Sequence, residues 1–123
     1  MEQWEIEFNW LKIQHFVKDN FKINSLPKLD TILFIVGLQE LGQIKENFTH
    51  EEKLGITTLG TMEVLSREGY FVKSGTDEDG WPIWQEVKPY DPEDDIMRQN
   101  QLKNLVIEYF EDKYDISNYE QKI

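Results

Sequence analysis

Apolar residues in the first part of the chain recur near helical spacing: Phe8, Leu11, Phe16 and Val17 form one line, and Trp4, Trp10 and Ile13 widen it. Glu5 to about Phe21 therefore reads as an amphipathic helix that buries an aromatic face. The segment "INSLPKL" interrupts the pattern, because Pro27 disfavours helical backbone at Leu26, and Ser25 or Asp30 can cap the next start. Leu29 to about Leu41 follows, with a centre, "TILFIVGL", that is apolar on every side. That centre alone would also fit a buried strand. Its length and the polar tail "QELGQ" favour a central buried helix ending near Gly42.

The stretch "FTHEEKLGITTLGTMEVLSREGYF" has the clearest start signal, since Thr49 followed three positions later by Glu52 is a capping box and Phe48 is placed for a hydrophobic staple. Leu54, Thr58, Met62 and Leu65 run along one side, Ile56, Leu59 and Val64 broaden it, and Arg67 with Gly69 supplies the stop. Two interior glycines, Gly55 and Gly60, each cost about 1 kcal/mol relative to alanine, which predicts a neighbouring helix close by. The period then changes from 3.6 to 2. "YFVKSG" and "WPIWQEV" flank "TDEDG" as two strands, with Asp79-Gly80 as the turn signal. A last helix opens at "DPEDD", with Asp91 as cap and Pro92 in the first turn, and carries Leu102, Leu105, Val106, Tyr109, Phe110 and Lys113 on its stripe. The closing "ISNYEQKI", about 116–123, reads as a flexible tail. The expected fold class is α+β, mainly α: three helices, a β-hairpin and a C-terminal helix.

Composition narrows this further. A chain of 123 residues fits one domain, 1–123, and 39% apolar with 13% aromatic residues can offset the entropy of ordering it. The 24 acids against 13 Lys plus Arg give a net charge of -11, which repels phosphate backbones and disfavours nucleic acid as a partner. Without cysteine there is no disulfide, thiol nucleophile or cysteine-held metal, a composition that suits a reducing cytoplasm. The opening "MEQWEIEFNW" is acidic where a secretory leader is basic, and the longest apolar run, "ILFIV", is far below the roughly 18 residues a membrane span needs. A cytoplasmic location with no membrane contact is expected.

The stretch "GTDEDGWPIW" holds the most suggestive chemistry. With Gly80 at the sixth position of a calcium-binding EF-hand loop, Asp77, Asp79 and Glu86 fall at the third, fifth and twelfth. Gly75 then occupies the first ligand position, Pro82 the eighth, and strands flank the loop where an EF-hand has helices, so no metal site is assigned. The two histidines, His15 and His50, lack zinc spacing, even with Glu51 and Glu52 beside His50. Glu93, Asp94, Asp95, Glu108, Glu111 and Asp112 are too numerous to single out an acid/base pair, and no phosphate loop, nucleophile elbow or zinc-protease motif is present. No catalytic residue and no cofactor is assigned. Strand alternation places Trp81, Ile83 and Val87 on one face and Pro82, Trp84, Glu86 and Lys88 on the other. Pro82 donates no ladder hydrogen bond and so suits an edge strand. Trp84, Pro82 and Trp81 are the candidate interaction surface, for another protein or a second copy of the chain; the competing reading is that both rings pack against the protein's own first or last helix.

The order of a helix followed by "LSREGYFVKSGTDEDGWPIWQEV", over roughly residues 29–88, resembles the recognition helix and wing of winged-helix domains. DNA-binding members of that group carry Lys and Arg on these elements. Here Lys53 and Arg67 face Glu51, Glu52, Glu63 and Glu68, and the wing tip is acidic. The combination "ILFIVGLQELG", "FTHEEK" and "GYF" followed by "DGWPIW" also resembles a group of small uncharacterised bacterial proteins, which implies a self-standing bacterial cytoplasmic domain and assigns no residue a role. The leading expectation is a non-enzymatic protein-interaction module that self-associates or binds another protein. A winged-helix-like transcriptional regulator and a carboxylate-based enzyme or small-ligand binder are the alternatives.

Overall fold

The computed structural model describes residues 2–43 and 46–122, in which four α-helices and a two-stranded antiparallel hairpin make a mainly α, α+β architecture. The helices are α1 (Gln3–Asn20), α2 (Leu29–Leu41), α3 (His50–Ser66) and α4 (Asp95–Lys113). The strands β1 (Phe71–Thr76) and β2 (Pro82–Glu86) lie between α3 and α4, and a 3-10 helix, Ser117–Lys122, follows α4. The fold divides into two compact units, residues 1–32 with 92–123 and residues 33–91, and the division falls within α2.

In the first unit α1 packs against α4. Ile6, Trp10, Ile13, Phe16 and Val17 are buried on α1, and Leu102, Leu105, Val106, Tyr109 and Phe110 on α4. Each such side chain contributes roughly 1.5–3 kcal/mol when taken fully out of water. Trp10 meets Lys103 and Phe16 meets Phe110, pairs that advance in the same direction, so the two helices run parallel. The α1 face differs from the expected one: Trp4 is 67% exposed and Phe8 also faces outward. The helix carries two adjacent apolar lines: the one through Ile6, Trp10, Ile13 and Val17 is covered, and of the other Phe16 is covered while Trp4 and Phe8 are not.

The end of α1 comes before Pro27. Lys22 takes a left-handed conformation at φ 55°, while the Phe21 and Ile23 amides donate to Val17 and Lys18 carbonyls, the pattern of a Schellman stop. The starts of α2 and α4 also differ from the reading. Asp30 lies inside the first turn of α2, where its charge complements the helix dipole. In α4 the cap is Asp94, whose carboxylate accepts from the Met97 amide at 2.8 Å, three residues after Asp91. Pro92 stays outside the helix. Beyond α4, Ile116 is buried, the Tyr119 ring meets Phe16 edge-on at 5.4 Å, and Asn20 donates to the Tyr119 hydroxyl. Asp115 accepts from the Ser117 hydroxyl and amide, which together hold its carboxyl below the ordinary value. These anchors lie in the stretch expected to be a tail; Ile123 lies outside the described residues.

In the second unit α2 and α3 meet backbone to backbone. A Cβ on Gly60 would land on the Leu33 carbonyl, and one on Gly37 would land on the Ile56 carbonyl. The glycine signal at Gly60 thus marks a helix crossing, and Gly37 is its counterpart. Thr49 and Glu52 form the expected capping box, with Thr49 Oγ1 accepting from the Glu52 amide at 3.1 Å and the Thr49 amide donating to Glu52 Oε1 at 2.9 Å. Phe48 packs edge-on against Phe34 of α2, with centroids 6.0 Å apart, and against the cluster of Leu41, Ile56 and Leu59. Ile56, Leu59, Val64 and Leu65 form the covered side of α3, while Leu54 and Thr58 face outward. Gly42 and Gly69 take positive φ just past α2 and α3, where the sequence places the two stops.

Candidate functional site

The hairpin carries every residue of the expected interaction surface, so its construction decides what that surface can do. Its ladder pairs Phe71 with Glu86, Val72 with Gln85 and Lys73 with Trp84, then resumes with Gly75 opposite Ile83 and Thr76 opposite Pro82. Ser74 is the extra residue of a bulge, which bends the strand and increases its twist. Pro82 begins β2, a strand position where its missing N–H is tolerated. At the base, the Val87 amide donates to the Tyr70 carbonyl, the Tyr70 and Tyr90 rings meet edge-on at 5.1 Å, and Lys88 stands 4.5 Å over Tyr70.

The acidic tip is a backbone device. Asp77 Oδ1 accepts from the amides of Asp79 and Trp81, both at 2.9 Å, and the Asp77 amide donates to the Trp81 carbonyl at 2.8 Å. Gly80, at φ 85°, supplies the left-handed residue that lets the chain return into β2. The EF-hand-like spacing has this physical origin: aspartate and glycine recur there because the turn uses their carboxylate and their backbone freedom. Gln43 adds a tether by donating to the Asp79 carbonyl at 2.9 Å. Among the described residues no group of three His, Cys, Asp or Glu side chains is placed to hold a metal ion.

Trp81 and Trp84 do not divide between two faces. Trp81 lies in the turn just before β2, so strand parity does not apply to it, and both rings pack against the cluster of Leu41, Ile56 and Leu59. Gly55 makes room for Trp81; a Cβ there would stand 3.3 Å from the ring. Trp84 and its cross-strand neighbour Lys73 share the inner side. Lys73 Nζ lies 5.2 Å over the Trp84 ring, 3.4 Å from Glu63 and 3.9 Å from Glu40. Such half-exposed ion pairs are individually worth under about 1 kcal/mol, but together they orient the hairpin against α2 and α3.

What the hairpin turns outward is a different set. Val72, Ile83 and Val87 are 49%, 43% and 63% exposed and belong to the strand face opposite Trp84. Alternation identifies Ile83 and Val87 as face mates; the missed member is Val72, whose parity with them becomes readable only once the Ser74 bulge is placed. Asp77, Glu78 and Asp79 place negative charge at the turn end of this strip, and Glu86 lies on the opposite face. Elsewhere, His50 occupies the first position of α3, and His15 lies half-buried in α1. Asp94 is engaged as a cap and Asp95 with Arg98 and Gln99. Among the described residues no helix is long and apolar enough to cross a membrane. No family model, curated protein or solved structure matches the chain, so its function has to be read from this geometry.

Proposed function

We propose that the chain is a non-enzymatic protein-interaction module whose docking surface is the outer face of the hairpin. The observation that supports this reading is the exposed line of Val72, Ile83 and Val87 on a hairpin anchored by two tryptophans. A braced strand pair loses little entropy on association, which favours recognition by an extended segment laid along the sheet. Trp81, Pro82 and Trp84 serve this surface from behind, as the anchor that fixes its position. The acidic turn at one end of the strip favours a partner with apolar side chains and a basic residue placed toward that end. A second copy of the chain, itself at -11, would bring like charge to the contact. The same order of elements read as a winged helix would place Asp77, Glu78 and Asp79 against phosphates, which electrostatics disfavours.

A photo-crosslinking amino acid at position 83, expressed in cells with the same group at exposed Glu111 as control, tests the proposal. The expected result is a discrete adduct from position 83 alone, lost when Val72 and Val87 are both replaced by Ser. An adduct of twice the chain mass would overturn the choice of a foreign partner in favour of a second copy. No adduct above the Glu111 control would overturn the docking surface itself.

A further inference from the structure

We infer that the first unit holds a binding site for a small organic anion, carrying a phosphate or carboxylate group, in a cavity of about 450 Å³. The inference is independent of the hairpin reading, because the cavity lies wholly among residues 1–32 and 92–123. Its walls are Trp10 and Gln14 from α1, Lys28 and Asp30 from the start of α2, and Arg98 and Lys103 from α4. The volume falls within the range of roughly 300–1,000 Å³ typical of small-molecule sites.

Charge points to the ligand class. In a chain of net charge -11, three cations converge here on two carboxylates, Asp30 and Asp95. One of those carboxylates is already engaged: Asp95 Oδ1 lies 3.4 Å from Arg98, and its Oδ2 accepts from Gln99 at 2.8 Å. Among the described residues neither Lys28 nor Lys103 has a carboxylate within ion-pairing distance. Lys103 is instead held 5.6 Å over the Trp10 ring, so the indole positions its charge at the wall. The first turns of α2 and α4 add the partial positive charge of helix starts to the same space.

The polar walls are also positioned before any ligand arrives. Gln14 Nε2 donates to the Pro27 carbonyl at 2.8 Å, which fixes its amide beside Lys28. Trp10 is 7% exposed, and its ring is held by the α1–α4 core. A phosphate or carboxylate would find two ammonium groups and a forked guanidinium, while the body of the molecule would lie along Trp10 and the two glutamines.

The test is an NMR titration of the ¹⁵N-labelled full chain with three probes: inorganic phosphate, adenosine monophosphate and citrate. Saturable shifts are expected with at least one probe, centred on the Trp10 indole N–H and the amides of residues 28–30 and 95–103. A response to phosphate alone or to the nucleotide identifies a phosphate site, and a response to citrate alone identifies a carboxylate site. Lys28→Gln and Arg98→Gln should each weaken binding about tenfold, the effect of losing one charge-assisted contact. Lys88→Gln, in the other unit, should leave affinity unchanged, and unperturbed amides elsewhere report that each variant is folded. The absence of saturable shifts up to about 10 mM of every probe, or equal affinity in the Lys28→Gln/Arg98→Gln double variant, overturns the inference.

Discussion

Trp84 presents its ring to the helices of its own unit and leaves its indole N–H buried, with no hydrogen-bond partner among the described residues. The two properties oppose each other: the ring contributes apolar burial, and the unpaired donor costs part of it. In urea unfolding, Trp84→Ala should lose about 2–3 kcal/mol, less than for a fully buried tryptophan. Trp84→Phe should lose under about 1 kcal/mol, because it keeps most of the area and removes the unpaired donor. A Trp84→Ala chain as stable as the parent would sink the anchor reading. The sequence places this residue on a strand and leaves open whether it meets its own helices or another chain. Parity counted from Trp81 misleads, because the Asp77 turn absorbs Trp81 before the strand begins.

Element boundaries were legible where a side chain marks them, as Thr49 and Glu52 do for α3 and Gly42 does for the end of α2. They were obscured where several residues of one kind compete. Asp91, Asp94 and Asp95 all suit a helix start, and only Asp94 reaches a first-turn amide. The covered faces of α1 and α3 were shifted for a related reason: each helix carries more apolar residues than one neighbour can cover, and the partner chooses the line. The two glycines of α3 separate in the same way, one beside backbone and one beside a side chain. Gly60→Ala drives a methyl into the Leu33 carbonyl, which cannot move without the whole of α2, and should cost about 3 kcal/mol or more. Gly55→Ala meets only the edge of the Trp81 ring and gains about 1 kcal/mol of helix propensity, so it should lie within about 1 kcal/mol of the parent. Thermal unfolding of both variants checks the pair, and equal losses would contradict the described crossing.

Across the whole molecule, the order of elements and the fold class were readable because helical and strand periods rarely imitate each other over long stretches. The cavity in the first unit was not, because Trp10, Lys28 and Arg98 are far apart in sequence and no local pattern announces their meeting. The tip carboxylates show the reverse case, a local pattern that suggests a site while serving a turn. Calcium titration followed by tryptophan fluorescence should therefore stay flat through roughly 1 mM, the weak end of natural EF-hand affinities. A saturable change below that concentration would show that Asp77 can leave its amides. The parallel pairing of α1 with α4 also bears on synthesis. The apolar line of α1 leaves the ribosome first and gains its covering helix only after residues 95–113 emerge, a delay of roughly 5–20 s at the usual pace of translation. During that interval Trp10, Phe16 and Val17, buried in the folded chain, lack the helix that covers them.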